Sequence, residues 1–287
     1  MTLARPRRSM LFMPASNARA LEKAKGLPAD GLIFDLEDAV APEAKDEART
    51  QAAAAVASGD YGGRDLVVRI NGLDTDWWRD DLKAVVPNHP FAVLIPKVED
   101  PEAIHKVEEE ITWHSAHPDM EIWVMIETPK GFLNAGAIAA ASDRLTTWVV
   151  GTNDLAKDLR AKHTKDRLPV ITALGLALLH ARANGLTILD SVYSNFRDAE
   201  GFAFECQQAK ELGFDGKTLI HPAQVDVANS TFAPSEDELI LARRMLAAFD
   251  EAKAEGKGVA VLDGRMIEEL HLEEARRMVA MAEAIAG

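Results

Sequence analysis

Eight times along this chain a short apolar run gives way to a stretch with helical spacing, and that alternation constrains the fold more than any other feature. The runs are Ser9–Pro14, Gly31–Asp38, Leu66–Gly72, Ala92–Glu99, Glu121–Pro129, Thr146–Asp154, Thr187–Tyr193 and Gly216–Pro222. Most contain a continuous apolar core such as LIF, LVV, VLI, WVM or WVV, as parallel strands buried on both faces require. Between them lie helix patterns such as Asn17–Lys25, Pro42–Ser58 and Ala199–Leu212, the last followed by Gly213 in a C-terminal stop position. Eight strand–helix units in about 220 residues match a TIM (β/α)8 barrel. An open doubly wound sheet has about five to seven strands and a glycine-rich first turn, and neither GxGxxG nor GxxxxGK[ST] occurs here.

Residues 1–232 are therefore expected to form the barrel, with 233–287 as an extension of the same unit. In that extension Ser235–Glu255 reads as a charged amphipathic helix, Gly258–Met266 as a hairpin around Asp263-Gly264, and His271–Ile285 as a final helix. Its apolar helix faces suit covering the barrel or docking on a neighbouring subunit. At 287 residues and 47% hydrophobic content the chain can bury a large core. A net charge of −14 without any block of lysine or arginine argues against nucleic acid or an anionic membrane as partner, since both reward clustered positive charge. The single cysteine, Cys206, rules out an intramolecular disulfide and a multi-cysteine metal site. The apolar stretch after the arginine-bearing N-terminus is shorter than the roughly 7–15 residues of a secretory core, and no run nears the roughly 20 needed to span a bilayer. A soluble cytoplasmic protein is the expectation.

Catalytic groups of such a barrel stand at the C-terminal ends of its strands. Here those ends offer Asp35, Glu37 and Asp38, Arg69 and Asn71, Lys97 and Glu99, Glu127 and Thr128, Asn153 and Asp154, Asp190, and Lys217 with His221. Carboxylates outnumber cations in this set, and carboxylates crowded about one opening repel unless a cation intervenes. Oxygen donors without a histidine or cysteine cluster favour Mg2+ over zinc, with Mn2+ as a substitute. Spacing alone does not select the ligands. Glu37 and Asp38 read equally well as charges at the start of the helix near Pro42. Arg69, ending a buried strand, needs either a partner or a ligand.

Seven ordered motifs go further. They are RRSMLFMPASN at Arg7–Asn17, IFDLEDAVAPEAK at Ile33–Lys45, VRING at Val68–Gly72, IPKVE at Ile95–Glu99, MIETPKG at Met125–Gly131, GTNDLAKDL at Gly151–Leu159 and GFDGKTLIHPAQ at Gly213–Gln224. Over nearly the whole chain they resemble the HpcH/HpaI aldolase and citrate lyase beta-subunit superfamily, in particular its CitE-like coenzyme A thioester lyases. The resemblance implies that Glu127 and Asp154 bind the metal ion, that Arg69 contacts substrate beside it, and that Glu37 and Asp38 border the site. It further implies that Phe12, Lys23 and the Ile220–Pro222 segment, with His221 and Pro222, line the coenzyme A path.

The reaction implied first is a Claisen-type cleavage or condensation, in which a malyl-CoA-like 3-hydroxyacyl-CoA yields an acyl-CoA and a 2-oxo acid such as glyoxylate. Many relatives carry an aspartate in a C-terminal M-I-D segment contributed across a subunit boundary. This chain has Met266-Ile267-Glu268 instead, which moves the carboxylate of Glu268 by one methylene. The ending DGRMIEELH at Asp263–His271, with GTNDLAKDL, is most similar to the branch that includes (3S)-malyl-CoA thioesterases, which makes hydrolysis to malate and coenzyme A the second reading. The family habit implies a homo-oligomer, a trimer or hexamer.

Overall fold

The computed structural model describes residues 5–254, 256 and 258–286. Residues 1–4 of the arginine-bearing N-terminus and Glu255, the expected last residue of the charged helix, lie outside the described residues. Eight parallel strands close into a barrel in simple sequence order: β1 (Ser9–Pro14), β2 (Gly31–Asp35), β3 (Asp65–Arg69), β4 (Ala92–Ile95), β5 (Glu121–Ile126), β6 (Leu145–Val150), β7 (Thr187–Asp190) and β8 (Gly216–Leu219). Closure comes from β1 against β8, where Ser9, Met10 and Leu11 face Lys217, Thr218 and Leu219 in register. Helices follow the strands: α1 (Ala18–Ala24), α2 (Lys45–Ser58), α3 (Trp78–Val85), α4 (Pro101–Trp113), α5 (Pro129–Leu133), α6 (Ala135–Ala139), α7 (Thr152–Asp158), α8 (Ile171–Ala183), α9 (Ala199–Leu212) and α10 (Val225–Phe232). The fold is the expected α/β TIM barrel.

Alternation along the strands decides what fills the interior. Met10, Ile33, Val67, Ala92, Leu94, Trp123, Met125, Val149 and Leu189 form one cluster from strands on all sides of the barrel. Their neighbours in sequence, such as Phe34, Val68, Val93 and Trp148, are equally buried but face the helices. Below this interior cluster Arg7 sets its guanidinium over the rings of Phe91 and Trp123 and pairs with Asp65 and Glu121. That stopper holds the N-terminal end of the barrel shut.

Most strands stop about three residues before the sequence reading ends them. Gly31–Asp38 becomes a strand only to Asp35, whose carboxylate then accepts the N–H groups of Glu37 and Ala39 and turns the chain. Thr146–Asp154 stops at Val150, and Asp154 sits in the first turn of α7 rather than at a strand end. The physical reason is shared: past the barrel wall no neighbouring strand supplies ladder partners, so polar residues satisfy the backbone by folding back.

A second compact unit begins at Phe232. It holds α11 (Glu236–Ala254), a hairpin of β9 (Ala260–Leu262) and β10 (Arg265–Ile267), and α12 (Glu269–Ala286). Phe249, Ala260, Ile267 and Leu272 form its core. The turn at Asp263 and Gly264 has φ of 49° and 76°, both positive as a two-residue hairpin of this type demands. No helix among the described residues is long and apolar enough to cross a membrane.

Candidate active site

Following the inward-facing positions to the strand ends brings the polar groups together. Asp35 is two residues past Ile33, Arg69 two past Val67, and Glu127 two past Met125, so all three continue the interior face. Side chains of Phe12, Asp35, Asp38, Arg69, Glu127 and Asp154 line one cleft of about 340 Å³ at this end of the barrel. It borders on a second cavity of about 520 Å³, with Thr152, Asn153 and Val192 shared between the two walls.

Arg69 organises one side. Its Nε and Nη2 donate to the two carboxylate oxygens of Asp35 at 2.7 and 2.6 Å, a fork-on-fork pair with both residues buried. Nη1 lies 2.7 Å from Glu37 Oε2, close enough for an ion pair although not aligned as a hydrogen bond. The guanidinium also stacks over the Phe12 ring, 4.9 Å from its centroid. Burial opposes ionisation of Asp35, yet Arg69 and the N–H groups of Glu37 and Ala39 hold its carboxyl below the usual range. For Glu37 the balance reverses: burial raises its carboxyl above the ordinary value despite Arg69 and Lys97. Lys45 secures this corner from beneath, its ammonium donating to the carbonyls of Leu36 and Glu37 at 2.6 and 2.8 Å.

Glu127 and Asp154 occupy the other side. Glu127 is 1% exposed, and its Oε1 accepts the main-chain N–H of Lys97 at 2.8 Å. A β-carbon on Gly151 would come within 2.4 Å of Glu127 Oε2, so only glycine lets the β6–α7 turn pass this close to the carboxylate. Burial pushes the Glu127 carboxyl up to about 7, with Arg69 pulling it down and the charges of Asp154 and Glu37 adding to the rise. A buried carboxylate whose ionisation a neighbouring carboxylate disfavours fits a hard divalent cation held between the two. Among the described residues no group of three or more His, Cys, Asp and Glu side chains gathers as a metal cage. A two-carboxylate site suits Mg2+, which keeps most of its positions for water and substrate.

The remaining sequence candidates divide. Asp38 lines the cleft and is mostly exposed, 3.7 Å from the Lys97 ammonium, whereas Glu37 is turned to Arg69 and Lys97. Lys23 is exposed on α1, and His221 and Pro222 stand outside the cleft wall, although Ile220 before them is part of it. His221 is stacked on Phe196, ring centroids 4.5 Å apart. Glu268 is exposed directly after β10 of the second unit, where its N–H donates to His271 Nδ1. Asp190 and Lys217 do not join the site. Leu189 and Thr218 take the inward positions, so Asp190 and Lys217 face the helices and form a buried network with Arg167 and Glu205. Sequence reading left Asp35 without a role; the spacing Asp35-x-Glu37 on a strand that reads Ile33-x-Asp35 inward was the available signal.

The residues 8–222 match the family model described as HpcH/HpaI aldolase/citrate lyase. A (3S)-malyl-CoA thioesterase of Cereibacter sphaeroides is 52% identical over 284 residues, covering 99% of this chain and 97% of that one. The citrate lyase subunit beta of Escherichia coli is 36% identical over 284 residues, 97% of this chain and 94% of its own. Among solved structures, CitE of Mycobacterium tuberculosis in complex with magnesium, acetoacetate and coenzyme A superposes with a TM-score of 0.73 at 30% identity, covering 96% of this chain and 97% of that chain. Matched across its barrel by the family model and along nearly its whole length by these relatives, the chain belongs to the HpcH/HpaI aldolase/citrate lyase family.

Proposed function

We propose that this protein is a Mg2+-dependent enzyme acting on a malyl-CoA-like thioester, and that it hydrolyses the thioester to malate and free coenzyme A. The observation that carries the reading is that a buried arginine, Arg69, and a carboxylate pair, buried Glu127 with half-buried Asp154, line one cleft. An anionic substrate needs both: a fixed cation for its charge and a centre that accepts its carboxylate without repulsion. A magnesium ion on Glu127 and Asp154 would supply that centre and a Lewis acid for the neighbouring oxygen.

The chain's own groups do the rest. Asp35 holds the Arg69 guanidinium in one orientation, so a donor not used on Asp35, Glu37 or the Met125 sulfur is available to the negative charge that gathers on the thioester oxygen. Asp38, the acid of its pair that lines the cleft, is assigned the proton from the attacking water. The water oxygen bonds to the acyl carbon, the carbon–sulfur bond breaks, and the proton ends on the departing thiolate. Phe12 and Ile220 give the cleft an apolar wall for the arm of the thioester, which Lys23, His221 and Pro222 would carry outward. Glu268 is assigned a second proton-carrying role. A homotrimer or homohexamer is the proposed assembly.

Hydrolysis is placed first because the relatives at 51–52% identity are thioesterases, whereas the citrate lyase subunits stand at 36–37%. The carbon–carbon lyase reading uses the same metal site and Arg69, with a 2-oxo acid such as glyoxylate as product, and it is supported by those subunits and by the CitE neighbour. Incubating the purified full-length protein with (3S)-malyl-CoA and MgCl2 separates the two. Free thiol with malate is the expected result. Acetyl-CoA with glyoxylate would replace the hydrolase by the lyase, and neither pair above background would remove both.

A further inference from the structure

Two cavities lie side by side at the mouth of the barrel. The cleft of about 340 Å³ that holds Arg69, Glu127 and Asp154 and the cavity of about 520 Å³ beside it share Thr152, Asn153 and Val192 as a common wall. Thr152 and Asn153 come from the first turn of α7, directly before Asp154, and Val192 comes from the connection after β7. These two segments are tied together. The Thr152 hydroxyl donates to the Ser191 hydroxyl at 2.8 Å with both residues buried, and Asn153 Nδ2 donates to Ser194 Oγ at 3.2 Å. Gln224 Nε2 adds a third tie, donating to the Tyr193 carbonyl at 3.0 Å. Parting the wall would break these bonds, whereas half-buried Val192, its apolar member, makes no such bond through its side chain. Beyond the wall the larger cavity offers Ala156 and Val170 as apolar lining.

We propose that Val192 is a specificity-determining residue: its side chain closes the cleft to acyl groups with an alkyl branch on the hydroxyl-bearing carbon and so restricts the substrate to the unbranched malyl group. The inference rests on the reading of this cleft as the site of a malyl-CoA-like thioester. In that reading the thioester arm leaves past Phe12 and Ile220, while the carboxylate and the hydroxyl-bearing carbon next to it lie at Glu127 and Asp154, beside the wall. A hydrogen on that carbon needs no further room. A methyl or ethyl group there must displace part of the wall, and the hydrogen bonds hold Thr152 and Asn153 in place. Space for the branch exists on the far side, so exclusion depends on one side chain rather than on the size of the mouth. Shortening valine to alanine removes two methyl groups and opens the cleft toward that space. A single methylene in a fitted apolar pocket is worth about 10- to 200-fold in discrimination.

Steady-state rates test this with the full-length protein, MgCl2 and three substrates: malyl-CoA and its homologues with methyl or ethyl on the hydroxyl-bearing carbon. Loss of the parent ester is followed by liquid chromatography, so that hydrolysis and carbon–carbon cleavage both count. The readout is the ratio of kcat/KM for each homologue to kcat/KM for malyl-CoA. Val192→Ala should raise both ratios about tenfold or more over the wild type, and Val192→Thr, which keeps the branched shape, should leave them as they are. Ratios unchanged in Val192→Ala, or raised as much by Val192→Thr, would overturn the inference. So would a wild-type chain that consumes the branched esters as readily as malyl-CoA. A wild-type chain that consumes none of the three would instead overturn the malyl-CoA reading itself.

Discussion

Replacing Glu127 with glutamine removes a charge that the metal-free fold holds at a cost. Burial lifts this carboxyl from 4.5 to about 7, Arg69 offsetting part of the rise and Asp154 and Glu37 adding to it. At about 1.36 kcal/mol per pH unit the shift corresponds to roughly 3 kcal/mol, and with the residue 1% exposed there is little solvent screening to discount. Between those two pH values the folded protein retains a proton that the unfolded chain has released. Stability therefore falls as pH rises from 4.5 to about 7 and is level above that. Glutamine escapes the loss, since it is uncharged throughout and its amide oxygen can still accept the Lys97 N–H. Chemical denaturation in EDTA at pH 5 and pH 8 should show Glu127→Gln gaining about 2 kcal/mol on the wild type between the two conditions. Adding Mg2+ at pH 8 should then stabilise the wild type and leave the variant unmoved. An identical gap at both pH values would refute the burial argument, and equal stabilisation of both proteins by Mg2+ would remove Glu127 from the ion.

Other substitutions probe separate parts of the same cluster. Arg69→Met leaves Asp35 buried without its forked cation and Glu37 with Lys97 alone, and should cost about 3–5 kcal/mol, read as a fall in melting temperature; an unchanged melt would mean that Asp35 is neutral in the fold. Gly151→Ala drives a methyl against Glu127 Oε2, so Mg2+ affinity should drop about tenfold or more by calorimetry while the circular dichroism of the barrel is kept. Lys217→Met leaves the buried Asp190 and Glu205 to share Arg167 as their remaining cation and should destabilise by about 3 kcal/mol, yet leave KM of the folded enzyme as it was. A shifted KM there would contradict the outward placement of Lys217. Glu268→Gln should lower kcat with Mg2+ affinity unaltered, and full turnover in that variant would end its assigned role.

Much of the architecture was legible because it is local. Continuous apolar runs with helical stretches between them specify parallel strands and their covering helices, and the first strand, Ser9–Pro14, and the helix Ala199–Leu212 agree with the sequence to the residue. The strand ends were overrun because apolar content tells where a strand can be buried, not where its neighbour ceases to pair. Asp154 shows the consequence: its motif placed it at the correct mouth, while its position in a helix turn depended on Gly151 passing over Glu127.

By itself the sequence determined the barrel, the end of it that bears the acids and, through motif order, the family, and it pointed to Arg69, Glu127 and Asp154, which the structure brings to one cleft. Only the tertiary structure decided which charges meet. Asp35 rather than Glu37 took the forked pair with Arg69, Glu37 was shared between Arg69 and Lys97, and Asp190 with Lys217 turned away from the cleft into their own network. Periodicity sets the face a side chain occupies within its own strand. Partnership depends on the register between strands and on the path of the backbone beyond them, such as the left-handed turn at Lys97, and neither is written in any single segment.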